Sequence, residues 1–194
     1  MRRFLPEILI EFSKAHPNVY YEVVPCSNDI EWETSELDMA FIRGHGNWQN
    51  VRSQSLFREE LVVVGAPSLL NGKALDTDIE LFDYPLIQNS ARSSLWLQWL
   101  RGADIHLNKR IFGPRMPTMD IVIECATRGL GLAIVPFMFV QKEIADGKLM
   151  QALQRRQYSG EDFYLCISQR KATSGQVTLF RDWYLSSLKN GSTT

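Results

Sequence analysis

Residues 118–136, TMDIVIECATRGLGLAIVP, constrain the fold more than any other part of the chain. Thr118 or Asp120 can cap a helix, and Gly129 suits the left-handed residue that ends one. One face of this helix is predicted to carry Ile121, Val122, Cys125 and Ala126. Residues 132–135 are apolar without alternation, which is typical of a strand covered on both faces. The run therefore predicts the helix–strand half of a βαβ unit, in a parallel sheet sandwiched by helices.

Similar patterns recur along the chain. A first helix is predicted around Ile8, Leu9 and Phe12, which lie at helical spacing before His16-Pro17. Further helices are predicted at 79–82, 95–101, 120–127, 138–145 and 176–188, and strands at 19–24, 37–42, 61–65, 86–88, 110–112, 132–135 and 163–168. This alternation predicts an α/β class with largely parallel pairing, and two sheets fit 194 residues better than one. Because doubly wound domains usually open with a strand, the first strand is expected to be missing here.

Composition limits the classes of partner. The formal net charge is −1 and the pI is near 6.3, so this chain is not expected to hold nucleic acid by counterion release. No apolar run approaches the ~20 residues of a membrane span, and the N-terminus lacks the pattern of a secretory signal. The cysteines are three in number and widely spaced, and two of them lie within apolar runs, which fits buried thiols in a reducing compartment. We expect a cytoplasmic protein without membrane contact.

Motifs of common enzyme classes are missing from the sequence. Gly129-Leu-Gly131 follows a helix and precedes a strand, the reverse of a phosphate-binding loop. The histidines His16, His45 and His106 are scattered, with no metal-ligand spacing, and there is no GxSxG elbow. Glu59-Glu60 is interpreted as a solvated face. No catalytic residue, metal or cofactor is predicted.

Five segments, taken in order, resemble one known family. They are FLPEILIEFSKAHPNV, LDMAFIRGHGNWQN, SLFREELVVVGAPSLL, IECATRGLGLAIVP, and FYLCISQ followed by VTLFRDWYL. This series is similar to the effector-binding domain of LysR-type transcriptional regulators, particularly the branch of the glycine-cleavage and β-lactamase activators. Each segment alone is weak evidence for the family. The five segments in order are specific, and together they span nearly the whole chain.

The resemblance implies two Rossmann-like subdomains joined by two crossover strands, a type 2 periplasmic-binding-protein-like fold. Subdomain I would comprise residues 1–64 and 163–194, and subdomain II residues 65–162. A small-molecule effector would be held between them. The resemblance also implies a homodimer or tetramer that contacts DNA only through a helix-turn-helix absent from this chain.

Candidate ligand-binding residues follow predicted strands or begin a predicted helix. Arg43, Gly44 and His45 follow a strand, at the end where open α/β sheets bind ligands, and Arg43 can pair with a carboxylate. An ion pair of Arg43 with Asp38, Glu59 or Glu60 is an equally good interpretation.

Asn89 and Ser90 occupy the analogous position after the strand at 86–88, although ordinary turn chemistry explains them as well. Thr118, Met119 and Asp120 begin a helix, where free N–H groups attract a carboxylate or phosphate, or where Thr118 or Asp120 serves only as a cap.

By the resemblance, Tyr164 faces the ligand; as a strand aromatic it could equally belong to the core. Trp96 and Trp99, three apart on a helix, are interpreted as one packed face.

Three functions remain open. The first is a ligand-sensing, dimerising regulatory domain. The second is a free-standing small-molecule binding protein of the same fold. The third is a cytoplasmic enzyme on a bilobal α/β scaffold, which would require turnover and a strongly perturbed titratable group.

Overall fold

Two long strands divide the chain into two units. The computed structural model describes residues 5–105 and 111–191. Unit 1 comprises residues 1–58 and 160–194, and unit 2 comprises residues 59–159. Both boundaries fall inside strands, β2 (Val51–Gly65) and β7 (Gln157–Ser168). Each of these two strands therefore contributes residues to both units.

Unit 1 packs its helices on one face of a short antiparallel pair. Its further elements are α1 (Leu5–Ala15), β1 (Met39–Gly44) and α5 (Gly175–Gly191). β1 pairs with β7, with Ala40 opposite Cys166. Because neighbouring side chains on a strand point to opposite faces, β7 contributes side chains to two apolar clusters. One contains Leu165 with Phe12, Phe180 and Tyr184, and the other contains Cys166 with Trp32, Ala40 and Ile42.

Unit 2 is built on strands of mixed direction. Its elements are β3 (Leu86–Asn89), α2 (Leu95–Gly102), β4 (Arg115–Met116), α3 (Met119–Thr127), β5 (Leu132–Pro136), α4 (Gln141–Ala145) and β6 (Met150–Gln151), with 3-10 helices at Asp78–Asp83, Ser90–Arg92 and Phe137–Phe139. β3 pairs in parallel with both β4 and β5, whereas β2 pairs antiparallel with β5 and β6. The core includes Trp96 and Trp99, which are buried as predicted.

The helix–turn–strand run at 118–136 is confirmed. Gly129 has a φ of 79°, the Leu130 N–H donates to the Cys125 carbonyl and the Gly129 N–H to that of Ala126. These two bonds form a Schellman motif. Every residue of β5 is buried, as its unbroken apolar sequence predicted.

The predicted buried face of α3 is partly wrong. Ile121 is 41% exposed, while Ile123 is buried with Val122 and Ala126. Positions 119, 122, 123 and 126 follow the i, i+3, i+4, i+7 spacing of a single face more closely than the predicted set.

The predicted strand at 19–24 does not form within the described residues. Its residues carry no strand assignment, and Tyr20 is 91% exposed. The Tyr21 hydroxyl instead lies 2.6 Å from that of Ser13 on α1. β-branched and aromatic residues favour a strand only when a neighbouring strand accepts their backbone bonds.

The predicted strand at 110–112 is displaced toward β4. Arg110 lies outside the described residues, and Phe112 is not in a strand, although its carbonyl accepts a bond from the Leu86 N–H. Pro114 has no N–H to continue the ladder, so the assigned strand begins only at Arg115.

The prediction of largely parallel pairing holds only for β3, β4 and β5. The antiparallel pairs involve β2 and β7, each of which belongs to both units. A regular alternation of helices and strands does not reveal this role. The predicted helix at 138–145 is also divided at Val140 into a 3-10 turn and α4.

Candidate functional site

The N-terminus of α3 lacks a side-chain cap. Thr118 takes the extended N-cap conformation, with φ −132° and ψ 155°, but its side chain makes no capping hydrogen bond. Asp120 lies in the first turn, where a carboxylate interacts favourably with the helix dipole. The interpretation of Thr118 as a side-chain cap is therefore wrong, and the first-turn N–H groups are not satisfied by it.

Asn89 lies next to this helix start. It ends β3 beside Met116 of β4, and its Nδ2 is 4.0 Å from the Met119 Sδ. Its Oδ1 accepts a hydrogen bond of 2.9 Å from the Ala91 N–H, so the predicted turn chemistry is present as well. Asn89 is 5% exposed, whereas Ser90 is exposed. Unit 2 thus brings together one group of predicted residues, from 89–90 and 118–120.

A second group lies in unit 1. Register pairs Ile42 with Tyr164, and Arg43 and Gly44 follow on the same strand. The Trp48 ring meets the Tyr164 ring edge to face, with centroids 5.3 Å apart. Gly46 has a φ of 79°, and a Cβ there would lie 2.8 Å from the Tyr164 ring. The loop that carries the exposed His45 therefore packs directly on Tyr164.

Arg43 pairs with Glu161 of β7, through Nη1 and Oε2. This differs from the alternative that named Asp38, Glu59 and Glu60. Asp38 bonds to Lys171, Glu59 to Arg92 and Glu60 to Arg156. The partner of Arg43 follows from the β1–β7 register, which places Phe163 opposite Arg43 and brings Glu161 within reach.

Tyr164 is a neutral donor over the physiological range. Burial raises the pKa of its hydroxyl above the ordinary value, and the charges of Asp162 and Cys166 raise that pKa further. The phenol therefore stays protonated and can donate a hydrogen bond to a carboxylate or carbonyl.

Sequence patterns did not predict a buried ion pair that lies close to Asn89 in the chain. Arg92 donates from Nη1 and Nη2 to the two carboxylate oxygens of Glu59, both at 2.8 Å. Glu59 is 1% exposed, so interpreting Glu59-Glu60 as a solvated face was wrong for its first residue. The only hint in the sequence is that Glu59 leads into the apolar run at 61–64, because a fully buried strand tolerates a carboxylate only when it is paired.

An open groove of about 640 Å³ lies elsewhere in unit 1, lined by residues such as His16, Leu179 and Trp183. None of the predicted ligand residues lines it. It is broad and open to solvent, unlike the concave sites that enclose small ligands. It does not bear on the two candidate groups.

The part of the chain that the structure describes shows neither a metal-binding cluster nor a membrane-spanning helix. Residues 5–105 and 111–191 contain no group of three His, Cys, Asp or Glu side chains that could hold an ion. His106 lies outside that part. No helix there has the length and apolar character needed to cross a membrane.

The architecture of this chain is shared with a solved effector domain. The structure superposes on the effector domain of the regulator AmpR of Pseudomonas aeruginosa with a TM-score of 0.80, at 21% identity over 97% of this chain and 90% of that one. This architecture is the type 2 periplasmic-binding-protein-like fold predicted from the motifs.

The curated relatives that match the chain are transcriptional activators. The chain is 28% identical over 179 residues to the glycine cleavage system transcriptional activator of Escherichia coli K12, covering 91% of this chain and 58% of that protein. It is 27% identical over 170 residues to the activator AmpR of Rhodobacter capsulatus, covering 88% of this chain and 57% of that protein. The chain thus spans just over half the length of these relatives.

The LysR substrate binding domain model matches residues 1–189, and the chain belongs to this family. The family is regulatory and its named relatives are transcriptional activators rather than enzymes, as the motifs predicted.

Proposed function

We propose that this chain is the ligand-sensing, dimerising effector-binding domain of a LysR-type transcriptional regulator. A small molecule binds it and changes how the full-length protein binds DNA and controls transcription. Such control requires that the effector bind two states of the protein unequally. The identification rests on family membership and on the activators that match the chain.

One observation supports the binding chemistry. The start of α3 has no side-chain cap, and the 5% exposed amide of Asn89 lies beside it. Free backbone N–H groups with a neutral amide favour an anionic or strongly polar ligand group such as a carboxylate or phosphate. We assign this contact to Thr118, Met119, Asp120, Asn89 and Ser90, with Asp120 contributing its backbone N–H because its carboxylate would repel an anion.

The unit 1 group offers complementary chemistry. Arg43 supplies a guanidinium and Tyr164 a neutral hydroxyl, with Gly44 and His45 in the adjoining loop. Arg43 already pairs with Glu161, so a ligand carboxylate would compete with that residue. We therefore propose that Arg43, Gly44, His45 and Tyr164 contribute less to ligand affinity than the unit 2 group does.

The remaining partners are proposals of the same kind. We propose a cytoplasmic homodimer or tetramer that reaches DNA only through a helix-turn-helix outside this sequence. We also propose regulatory subdomains at 1–64 with 163–194 and at 65–162. The unit boundaries at 58/59 and 159/160 support this division, since they fall within a few residues of the proposed ones.

A thermal-shift screen against small carboxylates, amino acids and phosphorylated metabolites tests the binding proposal. A ligand at about 100 times its Kd stabilises the native state by about 2.7 kcal/mol, which raises the Tm of a chain of this size by roughly 5–10 °C. Thr118→Ala and Asn89→Ala should abolish the shift, and Arg43→Ala should reduce it.

Arg128→Ala is the matched control, because Arg128 is exposed and pairs only with Glu124 on the same helix among the described residues. Its shift should equal that of the wild type. Shifts that survive in Thr118→Ala and Asn89→Ala would show that the ligand binds elsewhere. Substrate turnover by the purified chain would contradict the regulatory assignment itself.

A further inference from the structure

The 90–102 segment is tied to the strand by which the chain enters unit 2. This segment joins the 3-10 turn at Ser90–Arg92 to α2. The bidentate Arg92–Glu59 pair joins its first turn to β2, with side-chain exposures of 15% and 0%. A two-bond guanidinium–carboxylate pair fixes orientation as well as distance.

The same segment is tied to the strand by which the chain leaves unit 2. The Gln98 Nε2 donates to the Ser159 carbonyl at 2.7 Å, and the Gln157 Nε2 donates to the Gln98 carbonyl at 2.9 Å. Gly102 accommodates this contact, since a Cβ there would lie 2.4 Å from the Gln157 amide. α2 thus bonds reciprocally to β7.

The candidate ligand residues lie at the start of this tied segment. Asn89 is three positions before Arg92, and its Oδ1 holds the intervening Ala91 N–H at 2.9 Å. Trp96 on α2 donates its indole N–H to the Ile87 carbonyl of β3 at 2.8 Å, which fixes the other side of the turn. The Arg92–Glu59 pair and the Trp96–Ile87 hydrogen bond therefore limit how far Asn89 can move.

Net stability alone is a weak reason for the buried pair. Replacing a buried ion pair by apolar side chains is often neutral or stabilising, whereas its geometry restricts position strongly. We propose that Arg92 is a positioning residue, which through Glu59 holds the Asn89–Ser90 turn in place and couples that turn to β2. The role of the turn in ligand binding rests on the proposed function, but the coupling does not.

Hydrogen exchange on the unliganded protein tests the coupling without any effector. Arg92→Lys keeps the charge and loses the two-bond geometry, so the amides at 89–92 should exchange at least tenfold faster. The double variant Glu59→Gln/Arg92→Gln removes both charges together and should show the same local effect with a Tm close to that of the wild type. Arg128→Lys is the control and should leave these amides unchanged.

A double-mutant comparison then measures the coupling itself. Asn89→Ala should speed exchange at the β2 amides 59–61 in the wild-type background, and should have no such effect in the Glu59→Gln/Arg92→Gln background. An equal effect in both backgrounds, or exchange at 89–92 within twofold of wild type in Arg92→Lys, would overturn the proposal.

Inorganic phosphate and citrate, titrated separately, distinguish this proposal from the proposed function. If neither anion alters exchange at 89–92 or at the start of α3, the anion chemistry assigned to the site is wrong. The unliganded comparison decides the positioning role independently of that result.

Discussion

Three cysteines occupy three different environments. Cys166 is buried, Cys125 is half-buried and Cys26 is exposed. Burial raises the pKa of the Cys166 thiol to about 12. Partial desolvation also raises the pKa of the Cys26 thiol, although that side chain is accessible to solvent. The thiolate is the reactive form of cysteine. Burial therefore lowers the reactivity of Cys166 in two ways, because it blocks access by reagents and keeps the thiol protonated. The sequence predicted buried thiols because two of the three cysteines lie within apolar runs, and Cys166 is fully buried.

A thiol reagent such as DTNB should therefore discriminate among them. At pH 8 we expect Cys26 to react first, Cys125 more slowly, and Cys166 only when the protein unfolds. Cys26→Ser should remove the fast phase, and reaction of all three in 6 M guanidinium provides the full count. Rapid labelling of Cys166 in the native state would contradict its burial.

The turn between α3 and β5 shows what a single element requires. Gly129 adopts φ 79° and closes the Schellman motif, after which the chain enters a fully buried strand. A Cβ there would meet only Ala66 and Ser68, each at 3.9 Å, so the space is open. Glycine is needed for its backbone conformation rather than for close packing.

Gly129→Ala should lower the free energy of unfolding by about 1–2 kcal/mol, the cost of a left-handed residue with a Cβ. Urea denaturation followed by circular dichroism measures this. Gly175→Ala is the control, because Gly175 begins α5 and a Cβ there meets nothing within 4 Å. That substitution should be neutral or stabilising, and equal losses for the two variants would exclude the conformational explanation.

At the scale of the whole molecule, the two units have separate apolar clusters. Unit 2 is built around Trp99 and Leu61, and unit 1 around Phe12 on one side of β7 and Trp32 on the other. The unit 1 clusters contain two buried groups that can lose a proton at alkaline pH, the Tyr184 phenol and the Cys166 thiol. Burial raises the pKa of the Tyr184 phenol to about 12, as it does that of the Cys166 thiol.

These two groups should make unit 1 sensitive to alkali. The folded state keeps their protons after the unfolded state has lost them, so their contribution is complete below about pH 9 and falls as the pH rises toward 12. Each group should reduce the free energy of unfolding by about 1.4 kcal/mol per pH unit in its range, from 9 for Cys166 and from 10 for Tyr184.

Denaturant unfolding at several pH values measures the slope, and Tyr184→Phe should remove the tyrosine part of it above pH 10. An unchanged slope in that variant would mean that other groups cause the alkaline loss. The isosteric change keeps the ring contacts with Phe41 and Phe180, which makes it a fair control for packing.

The sequence alone determined the features that depend on neighbouring residues. The helix, its glycine stop and the buried strand at 118–136 follow from spacing, backbone conformation and apolar runs, and the ordered motifs were enough to identify the family. The local setting of Asn89 was also predictable, because its turn bond reaches only Ala91.

Tertiary structure decided the features that join distant residues. Arg43 pairs with Glu161, 118 positions away, and Arg92 with Glu59, 33 positions away. Asn89 meets Met119 across 30 positions. The segment at 19–24 has strand-forming residues, yet it stays unpaired within the described residues because pairing needs a partner that local sequence does not specify. Propensity and periodicity act over a few residues, whereas which charge meets which carboxylate depends on strand register and on the path of the whole chain.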